Sequence, residues 1–426
     1  MKIMVIGGGG REHAVIRKIK ENKSVEEIFA LPGNGGIAAD AVCVPISATD
    51  IDGIVNFARE NGIDYAIVTP DDPLVLGAVD ALNRIGVPCF GPEAKAAIIE
   101  GSKVFSKNLM KKYNIPTARY EVFDTPEAAQ DYLKTTTFPS VIKADGLALG
   151  KGVIIAENLE EALAAVDSMM KDKVFGASGS RIVVEEFLTG PEVSVLSFTD
   201  GETIVPMISS MDHKRAGEGD TGLNTGGMGT VAPNPYYTKE IADECMEKIF
   251  LPTIRAMKAE GRIFKGCLYF GLMLTPNGPK VIEYNCRFGD PETQVVLPML
   301  DADLYEVFEA IYNHELDKVN IGIKDGSCAC VVMASGGYPQ SYPKGIEMFG
   351  FDEKGQIDGC FVYHAGTKLS DDGKFLTNGG RVIGVTANAE NLQSALDKAY
   401  AGVSKISFEN AHYRKDIGQR ALKALN

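Results

Sequence analysis

The stretch KVIEYNCRFGDPETQ, residues 280–294, is the most informative for chemistry in this 426-residue chain. Side chains two apart on a strand share a face, so Glu283 and Asn285 point together, and Arg287 follows if the strand persists. A carboxylate beside an amide oxygen is an oxygen-only donor set suited to a hard cation such as Mg²⁺. Such sites usually bridge the cation to nucleotide phosphates. An arginine alongside can neutralise an anionic transition state. The same pattern also fits an exposed polar strand end.

Three further stretches hold reactive residues. In IKADGLALGKGV, residues 142–153, Lys143 sits on a strand entering a loop with Gly146, Gly150 and Gly152. The Walker pattern G-x-x-x-x-G-K-[ST] finds no match there. A glycine loop between two strands can instead cover ATP phosphates with Lys143 on them, or be a plain hairpin. In VVEEFLTGPEVSV, a strand bearing Glu185 and Glu186 is expected to end at Leu188, with Glu192 after a turn. Backbone after such a strand can read adenine, and a nearby carboxylate can hold ribose hydroxyls; adjacent glutamates are also commonly just solvated. The stretch SSMDHKRAGEGDTGLNTGGMG, residues 209–229, packs Asp212, His213, Lys214 and Arg215 ahead of six glycines. It has no evident regular structure, and long irregular stretches inside compact domains are more often functional than decorative. His213 fits a structural or substrate-orienting role better than that of a general base. No Ser-His-Asp or HExxH arrangement is present.

The N-terminus, MKIMVIGGGGREHA, runs from a strand through four glycines into a helix. The dinucleotide fingerprint G-x-G-x-x-G fails, because its sixth position falls on Glu12 or His13 in the two frames. The acidic residue due about 20 positions later is missing as well, replaced by FALPGNGG. These absences argue against a NAD site. Glycines ahead of a helix still expose N–H groups to an anion. GGGGRE can therefore seat one phosphate, with Arg11 nearby, or make a tight turn.

The elements that must position these residues fall into three units. Strands near 2–6, 27–31, 65–69 and 88–91 alternate with helices near 11–21, 50–61 and 74–86. That alternation predicts a doubly wound parallel sheet over residues 1–100. Residues 101–322 change texture. They offer a helix capped by Ser102, strand–loop–strand units, a helix near 159–171, and a hairpin turning at Asn277-Gly278. Residues 323–426 bring short strands and one helix near 390–403, a small α+β unit.

Composition narrows the class. The net charge of −14 opposes a general nucleic-acid partner, though not a small anionic ligand. The eight cysteines form no CxxC pair and read as reduced core residues. No apolar run reaches membrane-spanning length, and no signal-peptide pattern is seen, so the expected location is cytoplasmic, with no membrane partner.

The order and wording of these stretches resemble the ATP-grasp superfamily. More closely, they resemble its glycinamide ribonucleotide synthetase family of purine biosynthesis. GGGGREHA, PGNGG, EGSK, IKADGLALGKGV, EEFLTGPE, DHKR, DTGLNTGGMG, NCRFGDPETQ, HAGT, TNGGRV and RKDIG carry the resemblance, from Met1 to about Arg420. It implies a central ATP-grasp fold, with a mobile lid at about 118–190, between the N-terminal and C-terminal units. It implies ATP-dependent joining of glycine to 5-phosphoribosylamine through a glycyl phosphate, in a monomer.

By the same resemblance, Glu283 and Asn285 would hold Mg²⁺ or Mn²⁺. Lys103 and Lys143 would contact ATP phosphates under the loop with Gly146, Gly150 and Gly152. Glu185 and the backbone of Phe187 and Leu188 would read adenine, and Glu192 the ATP ribose. Gly8, Gly9, Gly10 and Arg11 would seat the substrate phosphate, with Asp71 near its ribose. Asp212, Lys214, Arg287 and Asp290 would serve glycine and acyl transfer, with Thr225, Gly226 and Gly227 beside the substrates. Asp71, Met211 and Leu149 depart from the family pattern, where Glu, Gln and a small residue are commoner. These departures bear on fine substrate contacts and not on a charge the chemistry needs. The alternative is another ATP-grasp carboxylate–amine ligase or a purine-pathway carboxylase. A nucleotide-binding regulator without catalysis and a NAD-dependent oxidoreductase are the readings from other classes.

Overall fold

The computed structural model describes residues 1–147 and 152–425; Leu149 and Gly150 lie outside the described residues. The first unit runs β1 (Lys2–Gly7), α1 (Gly10–Ile19), β2 (Glu27–Pro32), β3 (Val42–Cys43), α2 (Ile51–Asn61), β4 (Tyr65–Val68), α3 (Asp71–Val75), α4 (Ala78–Arg84) and β5 (Cys89–Phe90). Its five strands pair in parallel in the order β3-β2-β1-β4-β5. Alternate residues feed two cores. Met4, Ile6, Ala66 and Val68 face one, and Ile3, Val5, Tyr65 and Ile67 face the other. Both faces are covered, as a parallel sheet requires. The order reverses between β1 and β4, so the crevice beyond their carboxyl ends is the natural ligand position. Gly8 to Gly10 follow β1 there, and Asp71 opens α3 after β4.

Where one helix was expected near 74–86, two form. Gly77, at φ +87°, breaks the run and caps α4. The two-residue β3 is too short to announce itself in sequence.

α5 (Ala94–Gly101) closes the first unit, and α6 (Lys103–Lys112) starts the central one. Ser102 between them is extended and accepts the Phe105 N–H, capping α6 as expected. Next come β6 (Tyr120–Phe123), β7 (Ser140–Ala144), β8 (Val153–Ala156) and β9 (Ile182–Glu186), an antiparallel sheet ordered β6-β9-β7-β8. It has its own small core around Leu133, Ile142, Val166, Ile182 and Val184. The helix expected to 171 is α-helical only to Val166 and continues as a π turn over Asp167–Lys171. β9 ends at Glu186, two residues before the expected Leu188.

A second antiparallel sheet contains β10 (Glu192–Thr199) and β11 (Ile204–Pro206), with two later strands, in the order β11-β10-β16-β17. The stretch 209–229 is less irregular than its glycines imply. It holds β12 (Met211–Asp212), the hairpin β13 (Arg215–Gly217) and β14 (Thr221–Asn224), and leads into β15 (Gly229–Ala232). β16 (Gly266–Thr275) and β17 (Gly278–Asn285) form the hairpin expected at Asn277-Gly278.

The last strands are β18 (Ser327–Ala334), β19 (Phe361–His364) and β20 (Arg381–Ala389). They form one sheet with β12 and β15, in the order β12-β15-β18-β20-β19. The helix Leu392–Val403 covers that sheet and completes a third large core. Pairing of the 209–232 segment with β18 ties the glycine-rich stretch to the C-terminal unit. Among the described residues no helix is long and apolar enough to cross a membrane, and the eight cysteines are free.

Candidate active site

The turn after β1 is built so that nothing but backbone fits. A Cβ at Gly8 would lie 2.4 Å from the Gly33 carbonyl oxygen, and one at Gly10 would lie 2.7 Å from the Gln294 amide nitrogen. Gly9 caps α1, and its N–H donates to the Glu12 carboxylate at 2.6 Å. Glu12 is buried and also accepts from Arg11 Nε and from the Thr69 hydroxyl, at 2.6 and 2.7 Å. One N–H of the expected phosphate cradle is therefore used internally. The N–H groups of Gly10 and Arg11 have no partner among the described residues and remain at the positive end of α1. Arg11 also donates to the Phe288 carbonyl at 3.2 Å, which brings residues 285–290 to this turn.

β17 reaches the site through a bulge. Gly271 opposes Glu283 and Leu272 opposes Val281, so Ile282 is extra in the ladder. Its freed carbonyl accepts a 3.0 Å bond from Lys143 Nζ. Beyond the bulge Glu283 and Asn285 keep the shared face that their spacing predicts. Burial would raise the Glu283 pKa, but Lys214, Lys143, Lys103 and Arg287 together pull it below the usual carboxylate value. Asn285 accepts from Arg287 at 3.3 Å.

Arg287 does not point freely into the site. It pairs with Glu100 at 3.1 Å, while Glu100 accepts the Cys286 N–H at 2.8 Å. Burial works against the Arg287 charge, but Glu100 and Asp71 outweigh it and hold its pKa up. Asp71 makes no hydrogen bond among the described residues and acts here through its charge.

On the side of the β6–β9 sheet, Lys103 Nζ donates to the Gly146 carbonyl at 3.0 Å. Asp145, just past β7, is fastened to the start of α6 by accepting from Ser102 Oγ and Val104 N, each at 2.8 Å, and also pairs with Arg181. A Cβ at Gly146 would strike the Ser178 hydroxyl at 2.4 Å, and Gly152 closes β7 to β8 through its carbonyl to Ala144. Glu185 is buried between two ammonium groups, Lys143 and Lys107, each at 3.0 Å. Its carboxylate is thus held by lysines, which leaves the Phe187–Leu188 backbone as the free edge for a base. Neither residue has a hydrogen-bond partner among the described residues, because β9 has already left its sheet. Glu186 turns away to Arg119 and Lys280. Glu192 pairs with Lys214 at 3.2 Å, and Lys214 lies 3.8 Å from Glu283.

A buried acidic cluster lies beside Lys214. Glu292 accepts from Tyr269 at 3.2 Å and Ser194 at 3.4 Å. Burial pushes the pKa of Asp212 well up, reinforced by Glu292, and burial raises Glu292 as well. Asp290 behaves oppositely. Burial would raise its pKa, but Arg381 and Arg11 keep it below the usual value. Arg381 spans the gap, donating to the carbonyls of Asp290 and Gly226 at 2.8 Å and lying 3.4 Å from the Asp290 carboxylate. A Cβ at Gly9 would sit 3.4 Å from that carboxylate, which joins the acidic loop to the first turn. Thr225 closes on Lys214 through its N–H and hydroxyl at 2.7 and 2.9 Å, and Gly227 N–H donates back to the Thr225 hydroxyl.

His213 is a framework residue. Its Nδ1 meets the Gly229 carbonyl at 3.0 Å, and its Nε2 accepts the Gly418 N–H at 3.1 Å. Burial lowers its pKa to about 4. Arg215 serves its own hairpin through the Gly222 carbonyl. The sequence reading passed over Glu100, Lys107, Asp145, Tyr269, Glu292 and Arg381. Lys107 alone carried a usable signal, four residues after Lys103 on one helix.

Comparison with known proteins places this geometry. Family models described as phosphoribosylglycinamide synthetase match in three parts: the N domain over residues 1–100, the ATP-grasp (A) domain over 101–293 and the C domain over 328–420. A phosphoribosylamine–glycine ligase from Caldanaerobacter subterraneus subsp. tengcongensis is 49% identical over 417 residues, covering 98% of this chain and 99% of its own. A trifunctional purine biosynthetic protein adenosine-3 from Gallus gallus is 48% identical over 429 residues, covering 100% of this chain and 43% of that protein. The crystal structure of a phosphoribosylamine–glycine ligase from Thermotoga maritima superposes with a TM-score of 0.86 at 32% identity, over 98% of this chain and 100% of that one. A Hydrogenobacter thermophilus 2-oxoglutarate carboxylase biotin carboxylase domain, in complex with MgADP and bicarbonate, shares the fold at a TM-score of 0.75 and 16% identity, over 100% of this chain and 94% of that one.

Proposed function

This chain belongs to the phosphoribosylglycinamide synthetase family, ATP-grasp ligases of purine biosynthesis that join glycine to 5-phosphoribosylamine, and from that premise we propose how its residues divide the reaction. The observation that carries the proposal is the reach of one short loop. Residues 285–290 start from the Glu283 face at Asn285, the last residue of β17, and reach Arg11 through the Phe288 carbonyl and Gly9 beside the Asp290 carboxylate. Nucleotide and sugar phosphate therefore meet along one stretch of chain.

The phosphate of 5-phosphoribosylamine sits on the free N–H groups at the start of α1, with Arg11 beside it and Asp71 across the crevice near the ribose. ATP lies between the two sheets. Phe187 and Leu188 offer backbone to adenine, Glu192 takes the ribose, and Lys103 and Lys143 face the phosphates. Glu185 holds Lys143 in place from behind and stands with that backbone at the adenine.

Glu283 and Asn285 fit a divalent cation, Mg²⁺ or Mn²⁺. Both are oxygen donors, and Glu283 is kept ionised by four cationic neighbours. Among the described residues no group of three or more His, Cys, Asp or Glu forms a closed cage, so nucleotide oxygens would complete the coordination. When bound, such a cation neutralises phosphate charge.

Glycine lies with its ammonium against Asp212 and Glu292, and its carboxylate toward Lys214 and the ATP γ-phosphate. A carboxylate is a poor electrophile because oxide is a poor leaving group. One carboxylate oxygen attacks the γ-phosphorus and ADP departs, leaving glycyl phosphate. The amine of phosphoribosylamine, oriented by Asp290, attacks the acyl carbon, and phosphate leaves with that oxygen. The residues contribute placement and charge neutralisation. The eight free cysteines fit a reducing cytoplasm, and the enzyme works as a monomer.

The test is ADP release from Mg-ATP with glycine, with and without 5-phosphoribosylamine generated from ribose 5-phosphate and ammonia. Release that needs all three, with a matching amide product, supports the proposal. Turnover with a different carboxylate or amine, and none with these, overturns the substrate assignment.

A further inference from the structure

The hairpin β13–β14 has little to hold it. All four residues of β14 are exposed, and the two strands share only two ladder positions with a register shift between them. A lone two-stranded hairpin is marginal in water. Yet both of its ends are in the site, Asp212 and Lys214 on one side and Thr225, Gly226 and Gly227 on the other.

What holds it comes from the far end of the chain. Arg414 is the largest fully buried side chain, only 1% exposed. Its Nη1 donates to the Arg215 carbonyl at 3.0 Å and to Asp220 at 2.9 Å. Its Nε and Nη2 reach the two oxygens of Asp416 at 2.9 and 2.8 Å. Asp416 accepts the Gly219 N–H at 2.9 Å, on the hairpin tip. Around this centre His412 contacts the Ala216 carbonyl at 2.7 Å, Lys415 N–H donates to Glu218, and Arg420 lies 3.4 Å from Asp220. Gly418 N–H donates to His213, the residue between Asp212 and Lys214. Residues 412–420 thus grip the hairpin almost wholly through polar contacts and one planar guanidinium. A lysine ammonium cannot copy that fork.

We infer that Arg414 is a positioning residue for the ligation. Through Asp220, Asp416 and the Arg215 carbonyl it fixes the hairpin, and so sets where Asp212 and Lys214 stand against glycine. The inference rests on the placement of glycine proposed above. It gives the RKDIG stretch, residues 414–418, a part in the active site without touching substrate.

The experiment compares the full-length Asp220→Asn and Arg414→Lys variants with Asp212→Asn. Glycine and ATP kinetics are measured, together with hydrogen exchange of residues 211–228. Asp220 is partly exposed, so its variant keeps the test usable if Arg414→Lys fails to fold. The expected result is a fall of about tenfold or more in kcat/KM for glycine, because small misplacements cost that much. KM for ATP should stay within about twofold, and exchange should speed up in 211–228 alone. A purely structural role would lower the melting temperature and leave the glycine-to-ATP split unmoved, which overturns the inference. If Asp212→Asn itself leaves glycine kinetics intact, the glycine placement fails. If Asp212→Asn impairs glycine use while Asp220→Asn does not, the anchor alone fails.

Discussion

Lys143 donates a 3.0 Å hydrogen bond to the carbonyl of Ile282, the residue that the β17 bulge extrudes from the ladder. The next residue is Glu283. One irregularity in the strand therefore brings an ammonium group from β7 against the carboxylate proposed to hold the cation. Lys143 is tied a second time, to Glu185 at 3.0 Å, which Lys107 holds from its other oxygen.

Glu283→Gln should cut ligation by about 100-fold or more, the usual scale for losing one preorganised charge contact in a site. The Glu283 side chain is 37% exposed and the amide is isosteric, so the melting temperature should change little. Steady-state rates across a Mg²⁺ titration, with a melting curve beside them, check both. A near-normal rate at low Mg²⁺ would remove Glu283 from the metal site.

Lys143→Ala should weaken ATP use, raising KM for ATP and lowering kcat. It also leaves the buried Glu185 carboxylate with Lys107 alone, and breaking a buried pair costs about 3–5 kcal/mol. A drop in denaturation midpoint should therefore accompany the kinetic loss. An unchanged ATP dependence in a destabilised protein would make Lys143 purely structural.

Glu292→Gln should raise KM for glycine by about tenfold or more and leave KM for ATP near its original value. The amide keeps the bonds from Tyr269 and Ser194 but removes the charge offered to an ammonium group, and charge-assisted bonds are worth about 1.5–3 kcal/mol. Equal changes in both KM values would place glycine elsewhere.

Acid should unfold the protein early. Burial lowers the pKa of His213 to about 4 and of His364 to about 3, and lowers that of His13 too. His13 accepts the His364 N–H at 2.8 Å and His213 accepts the Gly418 N–H, so protonation breaks those bonds. The unfolded chain binds protons from about pH 6.5 downward. Stability contributed by neutral histidine is therefore complete above that value and lost as pH falls toward 4 and 3. A depression of two units corresponds to about 3 kcal/mol per histidine. Melting temperature measured from pH 7 to pH 5 should fall steadily; a flat profile would contradict the buried neutral assignment.

Patterns with strong local causes were visible in sequence. The alternation of strand and helix gave the first sheet, Asn277-Gly278 gave the hairpin, and Ser102 gave a helix cap. The Glu283–Asn285 face survived because the bulge falls before it. Contacts made at long range were not visible. Nothing local ties Glu100 to Arg287, or Arg381 to Asp290, since each pair is joined only when separate units pack. The glycines of 209–229 hid the short strands β12 to β14 and the start of β15, because β12 pairs with β15 and β15 with β18, about a hundred residues later. The two lysine partners of Glu185 were equally hidden, since they lie on other elements.

The most direct test of the account follows one atom. Glycine carrying ¹⁸O in its carboxylate is turned over with Mg-ATP and 5-phosphoribosylamine, and the inorganic phosphate is examined by mass. If the glycine carboxylate attacks the γ-phosphorus, each phosphate released carries one ¹⁸O from glycine. Unlabelled phosphate formed in step with the amide product would contradict glycyl phosphate and the division of roles built on it.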